Sequence, residues 1–143
     1  MRGFQPEKLE KARIEAGFTQ AELGRVVRIK AETVRRWEQG GSSPQVDLLA
    51  RATAAIGITI ADVVQVPEGE RYPGDWRVLK GLTQPLLGAA AGVTTQVVGS
   101  VERGEISLSD NVARKLSAAL DIPESELRAS YERVRNRPPG APA

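Results

Sequence analysis

Apolar residues along this chain recur at spacings of three and four, and sustained period-2 alternation of β-branched residues is absent, so the pattern predicts an all-α protein. Leu9, Ala12 and Ala16 recur at i, i+3 and i+7 in a first helix. Pro6 stands where a first-turn proline is tolerated, and Gly17 supplies the left-handed residue that ends such a helix. Thr19 opens a second helix with Glu22 three residues on, a capping box in which each side chain satisfies the other residue's free backbone N–H; Leu23, Val26 and Val27 form its buried face. After a turn at Arg28 and Ile29, a third helix runs from about Ala31 to Gln39, with Val34 and Trp37 inward and Gly40 ending it. Ser43 and Pro44 start a fourth, whose apolar positions Val46, Leu49, Ala52 and Ile56 stop at Gly57. A short fifth follows Thr59, with Val63 and Val64 buried.

Residues 66–75, VPEGERYPGD, hold two prolines and two glycines and predict a linker. Beyond it the pattern begins again. A shift of 64 residues lays TQxxLG on TQxxLG without a gap and pairs Arg13 with Arg77, Gly17 with Gly81, Val34 with Val98, Glu38 with Glu102 and Gly40 with Gly104. These identities fall at caps and core positions, where a repeated structural unit would need them. The chain therefore divides into a first five-helix unit at 1–65, the linker, a second and more degenerate unit at 76–136, and a tail at 137–143 expected to be disordered. The last helix of the second unit extends to about Arg135, with Leu127, Tyr131 and Val134 at i, i+4 and i+7.

Composition narrows the chemistry. Cysteine and histidine are both absent, which removes disulfides, thiolate nucleophiles, imidazole acid–base catalysis and every Cys/His zinc pattern. No metal, no cofactor and no enzymatic activity is expected. No apolar run reaches 18 residues and the N-terminus lacks the apolar core of a signal peptide, so a cytoplasmic protein with no membrane partner is expected. The net charge of +2 is small, but residues 25–36 hold Arg25, Arg28, Lys30, Arg35 and Arg36 against Glu32 alone, a local net of +4. A basic patch of this density on a helical pair points to a polyanion.

TQAEL, VRRWEQG and SSPQVDLLARA, standing in this order and spacing, resemble the Cro/C1-type (XRE-like) helix-turn-helix domain of phage repressors and bacterial regulators. The second unit resembles it more loosely through TQPLL, VVGSVERG and SLSDNVARKL, and the two matches together cover roughly residues 5–64 and 75–128. The resemblance implies double-stranded DNA as partner, with the third helix as recognition helix in the major groove. Lys30, Ala31, Glu32, Thr33 and Arg36 then occupy the base-reading positions. Lys30 and Arg36 suit guanine O6 and N7, and Glu32 suits cytosine N4. Gln20 takes the family's phosphate-contacting place at a helix N-terminus, with Arg25, Arg28, Arg35, Ser42 and Ser43 flanking the backbone. Arg13 with Glu38, and Arg77 with Glu102, become structural ion pairs, and Trp37 a core residue. Arg28 departs from the family, standing where the turn glycine is usual and where the second unit keeps Gly92. Either the turn differs or the arginine is kept for a phosphate.

The second unit keeps the frame without the charge. Residues 67–127 carry six basic and nine acidic side chains, a net of −3, and no Lys or Arg precedes Arg103 in its recognition helix. Gln84, Thr95 and Gln96 are its auxiliary DNA candidates; dimerisation is its other expected role, giving a homodimer. The reading is thus a sequence-specific transcriptional regulator, a repressor, of two tandem helix-turn-helix units. The competing reading is a protein-interaction module, antitoxin-like or an adaptor, whose second unit holds a partner protein.

Overall fold

Proline at the first turn, capping boxes such as Thr19 with Glu22, and glycines at positive φ punctuate the chain into nine α-helices and two single 3₁₀ turns, described over residues 1–143 by a computed structural model. The helices form two units, Met1–Gln65 and Val66–Ala143. No helix is long and apolar enough to cross a membrane.

The first unit comprises α1 (Pro6–Glu15), α2 (Gln20–Val27), α3 (Ala31–Glu38), α4 (Val46–Ala55) and a 3₁₀ turn at Ile60–Asp62. Helix α2 packs on both α3 and α4, and α1 on α3, around Leu9, Leu23, Val27, Val34, Trp37 and Leu49. The capping box forms as expected: Glu22 N–H donates to Thr19 Oγ1 at 3.1 Å and Thr19 N–H to Glu22 Oε2 at 3.0 Å. Two expectations change. Val26 is 45% exposed, because α2 buries only the narrow stripe of Leu23, Gly24 and Val27. The fifth helix contracts to the 3₁₀ turn, since the chain immediately pairs with the N-terminal segment: Gln5 N–H donates to Val63 O and Gln65 N–H to Gly3 O, closing the unit. Val63 and Val64 are buried as expected.

The second unit comprises a 3₁₀ turn at Glu68–Glu70, α5 (Pro73–Leu79), α6 (Gln84–Ala91), α7 (Thr95–Glu102), α8 (Asp110–Leu120) and α9 (Glu124–Arg135). Trp76, Leu87, Val98, Val101, Leu116 and Leu127 lie in its core. Here the fifth helix is full length, and α9 buries Leu127, Tyr131 and Val134 while packing on α5, α7 and α8. The stretch expected as a linker is folded into this unit. Val66 is buried, the Arg71 guanidinium lies 4.5 Å from the Trp76 ring centroid, and Pro73 is the first residue of α5. A cation over an indole face and a hydrogen bond from the Arg71 side chain, Nε to Val66 O, explain the ordering. The tail is likewise not loose at its start: Arg137 donates to Arg103 O, Val134 O and Ala141 O, folding residues 137–141 back on the unit.

Candidate nucleic-acid interface

Helix α3 turns its two sides to different tasks. Val34, Trp37 and Glu38 are buried, and Lys30, Glu32, Arg35 and Arg36 are exposed. Glu32 and Arg36, one turn apart, share the outermost face. Thr33 is half-buried on the flank, and Ala31 is half-buried beside the close approach of α2 and α3. Ala31 offers only a methyl, the kind of group that meets the thymine C5-methyl.

Arg25, Arg28, Lys30 and Arg36 are exposed and take part in no ion pair. Four cations without a salt-bridge partner on adjoining elements suit counterion-releasing contact with phosphates. Arg35 differs: its Nε and Nη2 donate to both oxygens of Glu32 at 2.9 and 2.6 Å. This fork holds the Glu32 carboxyl below the usual carboxylate range and raises the Arg35 guanidinium. The expected cytosine acceptor and the expected phosphate contact are therefore engaged with each other in the free protein, across an exposed pair that costs little to part. Ser42 is half-buried and Ser43 exposed in the loop between α3 and α4.

Gln20 has a second duty that local sequence rules do not reveal. Its Nε2 donates to Glu38 Oε2 at 2.8 Å, and Glu38 also accepts the two-pronged Arg13 guanidinium, whose Nη1 reaches Phe18 O at 2.8 Å. One amide N–H of Gln20 stays free for an anion while the other fixes the side chain. The second unit repeats every part 64 residues on: Arg77 clasps Glu102, reaches Leu82 O, and Glu102 accepts from Gln84 at 2.9 Å. Gln84 is thus held like Gln20, and Thr95 and Gln96 are exposed on α7 without charge around them.

The turn between α2 and α3 resolves the Arg28 question. Arg28 adopts φ 64° and ψ 46°, the same left-handed conformation as Gly92 at φ 72° and ψ 34°, so the turn is unchanged and the arginine is strained into it. A side chain there costs about 1–2 kcal/mol. Two residues on, Lys30 is the N-cap of α3 and makes no side-chain cap, whereas its counterpart Thr94 accepts from Val97 N–H at 3.2 Å. Losing a hydroxyl cap costs about 1 kcal/mol, and a cation at a helix N-terminus opposes the helix dipole. The first unit thus accepts two local penalties that its twin avoids at the equivalent places, both at exposed cations. Replacing the pair with the second unit's residues, Arg28→Gly with Lys30→Thr, is expected to stabilise the first unit by about 1–2 kcal/mol, the gain at position 28 being trimmed by glycine's larger unfolded-chain entropy. Urea unfolding followed by Trp37 fluorescence in a Trp76→Phe background measures it; an unchanged or lower midpoint contradicts the strain assignment.

A helix-turn-helix family model matches residues 9–63 and again 75–127. No curated protein and no solved structure matches the chain. With both matches in register with the two folded units and the basic helical pair in the first, the chain belongs to the Cro/C1-type helix-turn-helix family of DNA-binding transcription regulators, in two tandem copies.

Proposed function

We propose that the first unit is the sequence reader, with α3 in the major groove, and that the protein acts as a homodimeric repressor by occupying an operator of two-fold symmetric half-sites about one helical turn apart. It is a binding protein and not an enzyme. The observation that carries this reading is the placement of Arg28 and Lys30: a left-handed arginine and an uncapped start of α3, where the second unit has Gly92 and Thr94, beside the exposed Arg25 and Arg36. Backbone strain retained at a cation that adjoins an exposed basic helix points to a functional use of that cation. Arg36, outermost on α3, reads a guanine; Lys30 and Glu32 read beside it; Arg25, Arg28 and the free amide N–H of Gln20 hold phosphates. Arg35, released from Glu32 on contact, joins them.

Sequences selected from a random duplex pool supply the probe. Against the selected site, Arg36→Ala is expected to lose about 1–3 kcal/mol of affinity and to relax preference at one base pair. Arg25→Ala is expected to weaken all duplexes alike and to lower the salt slope by about one. Fluorescence anisotropy at several salt concentrations separates the two patterns. Equal binding of the selected site by wild type and Arg36→Ala would remove the base-reading role.

A further inference from the structure

The stretch matched by the helix-turn-helix family ends at residue 127, and the residues that follow are opposite in charge to those before them. Residues 67–127 carry a net of −3, whereas residues 128–137 hold Arg128, Arg133, Arg135 and Arg137 against Glu132 alone, a net of +3. The first unit has no counterpart of this extension, because it closes at its 3₁₀ turn.

The last two of these arginines reach the end of α7, the counterpart of α3. Arg135 Nη1 donates to Gly104 O at 3.1 Å and Arg137 Nη1 to Arg103 O at 2.8 Å. Arg103 itself folds back along α7: a Cβ on Gly99 would lie 2.9 Å from Arg103 Nη1 and 3.6 Å from Gln84 Oε1, so the guanidinium covers Gly99 beside the Gln84 amide. Position 99 answers to Arg35 in the first unit, and the absence of a side chain there makes room for this cation. Arg103 and Arg135 are exposed and Arg137 is half-buried. Among these three guanidinium groups stands Glu105, which accepts from Arg103 Nε at 2.9 Å; that bond, with the charges of Arg103 and Arg137, holds its carboxyl below the usual carboxylate range. The neighbouring Glu102 is committed to Arg77 and Gln84.

Closing α7 does not require the arginines. Helix α3 ends on Gly40 N–H to Trp37 O and Gly41 N–H to Arg36 O, and α7 on the equivalent Gly104 N–H to Val101 O and Glu105 N–H to Ser100 O. The first unit does this with Gln39 where the second has Arg103. Cations gain from the dipole at a helix C-terminus, but three of them around one exposed carboxylate repel each other. Their excess charge is available to an anion.

We propose that Arg103, Arg135 and Arg137 hold the phosphate backbone of duplex DNA, with Gln84 at their edge, so that the second unit anchors the protein without reading bases. Phosphate contacts give affinity and register whatever the sequence, which suits a unit with no Lys or Arg ahead of Arg103 in α7. The exposed Arg103–Glu105 pair costs little to part. The inference rests on the DNA reading of the chain and gives the second unit a share in it.

Arg103→Gln installs the residue that the first unit carries at the equivalent place, Gln39, so the fold accommodates it. Fluorescence anisotropy of the full chain, at several salt concentrations, compares the selected duplex with an unrelated duplex of equal length. For each chain bound, Arg103→Gln is expected to lower the slope of log affinity against log salt by about 0.9 on both duplexes, and to weaken both about fivefold at about 0.15 M salt. Preference for the selected site is expected to stay as in wild type. Adding Arg135→Gln and Arg137→Gln is expected to lower the slope by about 2.7 in all. Arg103→Lys keeps the charge and is expected to keep the slope. A slope unchanged by Arg103→Gln and by the triple variant, or lowered as much by Arg103→Lys as by Arg103→Gln, overturns the proposal, while a loss in Arg25→Ala alongside would leave the first unit's DNA contact standing. Wild type binding both duplexes equally, with the slope still lowered by Arg103→Gln, would instead remove the first unit's sequence reading and support the backbone anchor.

Discussion

Glu38→Ala is expected to destabilise the first unit by about 3–5 kcal/mol, because it strands a buried guanidinium. Arg13 is 7% exposed, and three of its N–H groups are committed, two to the Glu38 carboxylate and one to Phe18 O. Removing the carboxylate leaves Nε and Nη2 without their acceptor in a largely buried place, and it also frees the Gln20 amide. The loss exceeds what the pair contributes in net terms, since much of it is the cost of an unpaired buried charge. Arg13→Met with Glu38→Leu, which removes both charges, is therefore expected to cost less than Glu38→Ala alone. The second unit provides a graded control. Its pair has side-chain exposures of 14% and 11% against 8% and 2% in the first, so Glu102→Ala is expected to cost less than Glu38→Ala. Trp37 and Trp76 report on separate units. Urea unfolding of Glu38→Ala in a Trp76→Phe background, and of Glu102→Ala in a Trp37→Phe background, reads each loss by itself. A loss below about 1 kcal/mol for Glu38→Ala would show the network to be no more than a surface ion pair.

That network also shows where sequence reasoning reaches and where it stops. Arg13 and Glu38 stood out because the whole pair recurs 64 residues on, and repetition marks a charge as part of the frame. The Gln20 contact did not, since a hydrogen bond between residues 18 apart on two helices leaves no local period to read. The capping box at Thr19 and Glu22 was legible from four residues, because both bonds close within one turn. Val26 was misjudged for a geometric reason. Three apolar residues on an eight-residue helix suggest a wide buried stripe, but α3 and α4 together cover only the Leu23–Gly24–Val27 edge of α2. The contacts made by residues 66–75 and 137–141 were not legible because Pro, Gly and Arg carry opposite signals: proline starts α5 as readily as it breaks a chain, and Arg71 and Arg137 find an indole face and backbone carbonyls that composition does not announce. The Arg28 turn was left open by sequence and settled by one angle, φ 64°.

Gly24→Val is expected to cost about 3 kcal/mol and to abolish specific DNA binding, because Gly24 is where α2 and α3 touch. A Cβ built on Gly24 would lie 2.8 Å from Ile29 O, 3.2 Å from Ala31 N and 3.3 Å from Lys30 C, all backbone atoms that cannot swing aside. Valine adds two methyls beyond that Cβ, so the start of α3 must move away from α2, at the upper end of the cost of overpacking. The same displacement shifts Lys30, Glu32 and Arg36 relative to Gln20 and Arg25, separating the proposed reading groups from the proposed phosphate anchors. Gly24→Ala is expected to cost less, about 1 kcal/mol, since alanine's helix preference offsets part of the clash. Gly88 repeats the geometry, its Cβ 2.8 Å from Val93 O, so Gly88→Val is expected to destabilise the second unit similarly while leaving α3 in place. Gly69→Ala, with nothing within 4 Å, is the neutral control. The comparison of glycines with the Arg28 site separates frame from function: both units keep glycine where backbones touch, and only the first gives it up where a cation can face DNA. Gly24→Val and Gly88→Val, measured for unfolding midpoint and for binding to the selected duplex, test that division. Normal recognition by Gly24→Val would break it.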